Sequence, residues 1–508
     1  MPPMRILRLT GRDLNLADLR AVADREVRAV LTPGARRALA ASRRVVDRAV
    51  RRRDRVYGLT TGFGKFVNVA ISVDEIELLQ KNLIRSHTAG VGEALDDRAV
   101  RAMMALRANT LARGFSGVRV STVEALLSML AADVLPVVPR QGSVGASGDL
   151  APLAHLALGL MGEGEVRRRG RRLPARRALA AARLRPVVLG AKEGLALING
   201  VQMSVAVGGL ALERAIFLAG AADFCGAATL DASRGSDAAF DRRVVEARPH
   251  PGALASAANL RRLLAGSAIR ESHRGCGRVQ DNYALRCMPQ VHGAARDAFS
   301  HAKEVLEREM NSATDNPLVF PGRGDIVSGG NFHGAPVGLV LDYASIAATD
   351  LASISERRIE KLMNPAASDL PAFLVEKGGL NSGLMMAHVT AAALVSECKA
   401  LSHPASVDSI PTSADQEDHV SMSPIAARKF ASIVENLEWV LSIELLAAFQ
   451  AMEFLRPLRS SAPIERVRRA FRRAVPAWTK DRELHRELVN ARAFLRSVSF
   501  ADGVRGLS

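Results

Sequence analysis

This sequence predicts a mainly α-helical protein, a bundle of long helices joined to a smaller, mixed N-terminal domain. Three observations predict that class. Alanine and leucine abound while aromatic residues make up only 4% of the 508, a balance that favours helix over sheet. Beyond residue 200, long runs keep apolar residues in helical register. Before about residue 190, glycine-rich loops break the chain into short pieces.

The elements follow in order. The first 190 residues read as short helical patterns separated by loops, notably TTGFGKF (60–66) and QGSVGASGD (141–149), with a helix starting near Asp149. The arginine-rich run VRRRGRRLPARR (166–177), interrupted by Gly170 and Pro174, reads as an exposed hairpin or loop. After KEGLALING (192–200) the character changes to long helices. One is expected from Pro336 to the break at Asn364-Pro365, with Tyr343, Ala347, Leu351 and Ile354 in register. Another opens at Ser423-Pro424, a capping serine followed by proline at the first helical position. It carries Phe430, Val434, Leu437, Leu441, Leu445 and Ala448 on one face and stops before Pro457. These patterns divide the chain at 1–194 and 195–508. Apolar faces on so many long helices favour continuation into a neighbouring subunit, and no internal repeat is visible.

Composition excludes several functions. The apolar fraction of 48% is ample for a sizeable core. The net charge of +17 comes with basic runs at 51–53, 166–177 and 465–473. They lack interleaved aromatics or a nucleic-acid-binding motif, so no specific nucleic-acid partner is expected, only non-specific attraction of polyanions. Cys225, Cys276, Cys287 and Cys398 are dispersed with no C-x-x-C, which suits a reducing compartment and argues against disulfides or a zinc ribbon. No signal-like segment and no stretch apolar enough to span a bilayer is expected, so the chain reads as soluble and cytoplasmic. His403, Glu417, Asp418 and His419 fit no recognised metal spacing, and no metal is expected.

The most informative stretch is GSVGASGDLAPLAH (142–155), and within it Ala146-Ser147-Gly148. Glycines here suit a flexible turn before a helix. A phosphate cradle is a poor alternative, because no G-x-x-x-x-G-K-[ST] is present and Gly64-Lys65 is followed by Phe66. Serine between two very small residues leaves room for a tight backbone fold. There the Gly148 amide nitrogen can attack the Ala146 carbonyl carbon, and loss of water would leave an electrophilic alkene.

That segment resembles the prosthetic-group loop of the aromatic amino acid ammonia-lyases, and the likeness extends over nearly the whole chain. The resemblance implies that Ala146, Ser147 and Gly148 form 4-methylidene-imidazol-5-one (MIO) without an external cofactor. YGLTTGFG (57–64) resembles the family's catalytic tyrosine loop, making Tyr57 the expected base or proton shuttle. QDNYALRC (280–287) resembles the segment supplying Gln280, Tyr283 and Arg286. Arg286 would grip the substrate carboxylate in two parallel hydrogen bonds, geometry that lysine cannot reproduce. NGVQ (199–202) resembles the segment whose asparagine, here Asn199, the family sets against the MIO oxygen, and GGNFHG (329–334) resembles the one whose phenylalanine, here Phe332, lines the pocket. Ser86-His87 in RSHTAG and Glu417 in QEDHVSM resemble the histidine-type members, since an imidazole and a carboxylate suit a polar ring and not a benzene ring. The implied substrate is L-histidine and the implied assembly a homotetramer with composite sites. An aminomutase, a phenylalanine or tyrosine lyase, and, outside catalysis, an inactive helical scaffold or a polyanion-binding protein using its arginines are the alternatives. Ala335, Cys398 and Asp415 depart from the usual family residues, none at a position given a chemical role.

Overall fold

The computed structural model describes residues 4–62, 68–69, 71–277 and 279–507; Gly64, Lys65 and Phe66 of the 60–66 loop lie outside them. Helices dominate, as the composition predicts. The chain packs into two compact units, which differ from a linear division at 194/195. The first comprises 1–213, 302–342 and 404–428, the second 214–301, 343–403 and 429–508. Segments distant in sequence return to the first unit because it holds their partners. Asp315 pairs with Lys192 at 2.8 Å, both fully buried, and the Val319 N–H donates to the Phe115 carbonyl at 2.8 Å.

In the first unit, strands Arg5–Leu9 and Val27–Leu31 pair in parallel across the helix Leu16–Ala23. The helix Pro33–Arg52 starts where Thr32 accepts a hydrogen bond from the Ala35 N–H, with proline at its first position, an arrangement that satisfies an otherwise orphaned donor. Its Val45, Val46 and Ala49 pack on Leu59, Ile76 and Val319. The central helix Asp97–Ala112 is buried from Ala99 onward. Burial of Arg107 within it is tolerated because the guanidinium donates to the carbonyls of Asn199 (2.8 Å) and Ala196 (2.5 Å) and to Gln202 Oε1 (2.6 Å). Desolvation still lowers its pKa to about 10. The run 166–177 forms the expected hairpin, Glu165–Arg168 against Arg171–Pro174.

The second unit is built from long helices. Phe224, Phe449, Phe471, Phe494 and Phe500 meet edge to face with centroids 5.2–6.4 Å apart, the geometry that aromatic quadrupoles prefer. Beside this apolar core lies a fully buried polar network. His292 donates from Nδ1 to Asp223 at 2.8 Å and accepts at Nε2 from Arg358 at 3.1 Å. Arg358 makes a fork to Glu444 at 2.5 and 2.9 Å. Paired charges of this kind survive burial where an isolated one would not.

Both expected long helices form, as Ala335–Met363 and Ser423–Glu453. All six apolar residues expected on one face of the latter are buried, but Leu437 onward is buried nearly all round. On Ala335–Met363 the register differs: Leu341, Ala344, Ala348 and Leu351 face inward, while Tyr343 is 48% exposed. One exclusion is corrected. Gln202–Ala232 and Ala335–Met363 are long and apolar enough to cross a bilayer by length and composition. Both are mostly buried, so the same apolar surface serves a protein core.

Candidate active site

The triplet sits between the strand Pro139–Gln141 and the helix Leu150–Leu160. Ser147 and Gly148 both take left-handed backbone angles, φ +52° and +79°, which curl the loop sharply. Such a conformation is costly for serine and characteristic of functional sites. A Cβ on Gly148 would lie 2.2 Å from the Gly200 carbonyl oxygen, so only glycine fits. The loop is locked to that neighbour: the Gly200 N–H donates to the Ser147 carbonyl at 3.2 Å, and the Asp149 N–H donates to Gly200 at 2.6 Å. Asp149 is buried and accepts from the Ser204 N–H and hydroxyl at 2.7 and 2.8 Å. Burial outweighs those hydrogen bonds and raises its pKa to about 6.

Ser147 opens onto a cavity of about 820 Å³ within the first unit, shared with Tyr57, Ser86, His87, Asn199, Asn316 and Glu417. Glu417 Oε1 lies 3.5 Å from Ser147 Oγ, while Oε2 accepts from the hydroxyls of Thr412 (3.0 Å) and Ser413 (2.9 Å). Those hydroxyls reach it because Ser413, Ala414 and Asp415 are all left-handed. His87 closes the helix Ile76–His87. Its Nδ1 lies 2.8 Å from the Leu83 carbonyl, which requires the proton there and leaves Nε2 as an acceptor. Burial lowers the His87 pKa, opposed by the Leu83 hydrogen bond and the Glu417 charge, so the ring is neutral at pH 7.

Asn199 is held from behind. Its amide donates to Asp315 Oδ1 at 3.3 Å and to the Asn316 carbonyl at 3.1 Å, and Lys192 anchors the same Asp315. Both amide hydrogens are therefore engaged, whereas the sequence reading gave one to the MIO oxygen. Asn199 Oδ1 is buried with no partner, an unfilled polar contact on the residue next to Gly200. The sharply curled triplet and the Cβ-free cradle at Gly148 fit a cyclised group in the loop. Sequence reasoning does not identify the supports Lys192, Asp315, Thr412 and Ser413; the available signal was the Lys192-Glu193 pair leading directly into the apolar run Leu195–Ile198.

The remaining expected residues do not line this cavity. Gln280, Tyr283 and Arg286 belong to the second unit. There Tyr283 is 70% exposed, and the Arg286 guanidinium lies 4.6 Å from its ring centroid. Arg286 Nε is buried without a partner. Phe332 is half-buried in the loop before Ala335–Met363. Among the described residues no cluster of histidine, cysteine or carboxylate groups suits a metal; His419 stacks on His333 at 5.7 Å instead.

Fold and site together are those of an aromatic amino acid lyase. The aromatic amino acid lyase family model matches residues 14–473, and the chain belongs to that family. It is 53% identical over 498 residues to the histidine ammonia-lyase of Sorangium cellulosum, covering 96% of this chain and 97% of that one. Its fold is similar to the crystal structure of histidine ammonia-lyase from Trypanosoma cruzi (TM-score 0.92, 44% identity, 99% of this chain and 96% of that one). It is equally similar to a tyrosine aminomutase from Streptomyces globisporus (TM-score 0.93, 36% identity, 98% of each chain).

Proposed function

We infer that this chain is a carbon–nitrogen lyase that eliminates ammonia from L-histidine to give trans-urocanate, the histidine ammonia-lyase reaction that opens histidine degradation. The observation that carries the reading is one cavity presenting Ser147 of the triplet beside a neutral imidazole and an oriented carboxylate. The MIO formed from Ala146, Ser147 and Gly148 supplies an electrophile that makes the substrate amine a better leaving group. His87 Nε2 and the Glu417 carboxylate are acceptors: either can take the single N–H of a neutral imidazole, and together they can pair with both N–H groups of an imidazolium. A phenyl ring would leave both unpaired in a partly dry site, which costs affinity steeply. Tyr57, on the same wall, acts as base or proton shuttle for the β-hydrogen. Asn199 orients groups beside the triplet.

Arg286 grips the carboxylate, with Gln280 and Tyr283 next to it and Phe332 closing the pocket. These four come from neighbouring copies in a homotetramer with composite sites. The exposure of Tyr283 supports that assignment. All four cysteines are unbridged, in keeping with the cytoplasmic location we assign.

The test is incubation of purified protein with histidine, phenylalanine or tyrosine while following the ultraviolet absorbance of the conjugated acid. Histidine alone should give a rising signal, and an intact mass two waters below the sequence mass should accompany it. The aminomutase reading has the fold in its favour; it would return a β-amino acid in place of free ammonia.

A further inference from the structure

The lyase site as proposed uses few of the cations behind the net charge of +17, and the first unit concentrates others in an unusual way. Residues 166–190 contain nine arginines, no acidic residue and no aromatic residue. In the hairpin, Arg168 stands directly opposite Arg171, and Arg167 opposite Arg172. Like charges facing one another across an antiparallel ladder destabilise it. Of these four only Arg167 has an acidic partner, Asp97 at 2.6 Å. The turn at the tip is Arg169-Gly170, with φ +51° and +75°. The first of these left-handed positions normally favours glycine, asparagine or aspartate, yet an arginine occupies it. The hairpin leads into the short helix Ala175–Ala181, where Arg176 and Arg177 are exposed in the first turn. Cations there oppose the helix dipole. Arg169, Arg171, Arg172, Arg176 and Arg177 are all exposed, and among the described residues none is paired with a carboxylate.

Each of these features costs stability, and an external polyanion would relieve all of them at once. We propose that the hairpin Glu165–Pro174 and the following helix form a docking surface for the phosphate backbone of double-stranded nucleic acid. Guanidinium groups match phosphate oxygens in paired hydrogen bonds. The absence of aromatic residues from 166–190 removes base stacking, so binding is independent of sequence. The tip, Arg169-Gly170, carries no apolar wedge for insertion into a lipid layer, which favours nucleic acid over a membrane.

The experiment measures fluorescence anisotropy of a labelled 20-base-pair duplex of arbitrary sequence against the intact protein over a salt series. With about five phosphates engaged, the logarithmic salt slope should be about −4.5, a loss of roughly 500-fold between 50 and 200 mM. Replacing Arg169, Arg171, Arg172, Arg176 and Arg177 by glutamine should flatten the slope and weaken binding at least tenfold at low salt, with lyase turnover unchanged. A charge-matched control replaces Arg37, Arg44, Arg48, Arg51 and Arg52, exposed on another helix of the same unit; it should keep most of the affinity. Equal losses in the two variants would overturn the proposal, since binding would then follow net charge alone. So would absence of duplex binding by the wild type, or retention by phosphatidylglycerol vesicles without retention by the duplex.

Discussion

The carbonyl of Gly200 and the missing Cβ of Gly148 together decide whether the loop can close. A methyl group there would press on a backbone oxygen that is itself hydrogen-bonded to Asp149, so nothing can yield. Gly148→Ala should therefore abolish both turnover and the two-water mass deficit, read by intact mass spectrometry. A mutant with normal mass loss would remove the tight loop from the account. At Gly145 the corresponding atom is the Ser421 hydroxyl, 2.2 Å away. A side chain can move, so the effect of Gly145→Ala should be eased by adding Ser421→Ala. Across the cavity, Glu417 is oriented by two hydroxyls and faces the triplet. Glu417→Gln keeps the shape but removes the charge; hydrogen bonds to ionised groups are worth about 1.5–3 kcal/mol. The expected result is a fall of about ten- to a hundredfold in kcat/KM for histidine, measured by steady-state kinetics. A variant with unchanged kcat/KM would exclude the carboxylate from substrate binding.

Between helices of the second unit, burial and charge make different demands. Phe449 is fully buried and meets both Phe224 and Phe471. Its loss opens a cavity that rigid helices cannot collapse, so Phe449→Ala should cost about 3–5 kcal/mol in denaturant unfolding. His292 joins the helices Gln202–Ala232, Met288–Met310 and Ala335–Met363 through Asp223 and Arg358. Desolvation, the largest cause, holds its pKa below the ordinary 6.5. The unfolded chain therefore takes up that proton first. Stability from this group is complete above about pH 6.5 and declines as pH falls below it. His292→Asn, which can still donate and accept, should show a flatter dependence of Tm on pH between 7.5 and 5.5. Identical slopes in wild type and variant would assign the acid sensitivity elsewhere.

For the whole molecule, the composite-site reading has a direct consequence. Ser147→Ala and Arg286→Ala should each be inactive as homo-oligomers. Co-expression should restore part of the activity, because some sites in mixed tetramers combine an intact triplet with an intact arginine. No recovery in verified mixed oligomers would place both residues in the same subunit's site. The sequence by itself determined the long helices, since their periodicity is local and repeated over many turns. It also pointed to the triplet, whose small residues and glycine punctuation act within a few bonds. Resemblance carried the expected pocket residues, of which Tyr57, His87, Ser147, Asn199 and Glu417 share one cavity. Tertiary structure alone decided how that wall is supported: Lys192 on Asp315, both oxygens of Glu417, the closed packing of Gly148 on Gly200. It also decided which face of Ala335–Met363 is buried and which segments return to the first unit. Apart from the Thr412 and Ser413 hydroxyls on Glu417, which lie close in sequence, those features rest on contacts between residues more than fifty, and in the case of Lys192 and Asp315 123, positions apart. No local pattern encodes such a pairing, because its free energy exists only once the intervening chain has folded and excluded water.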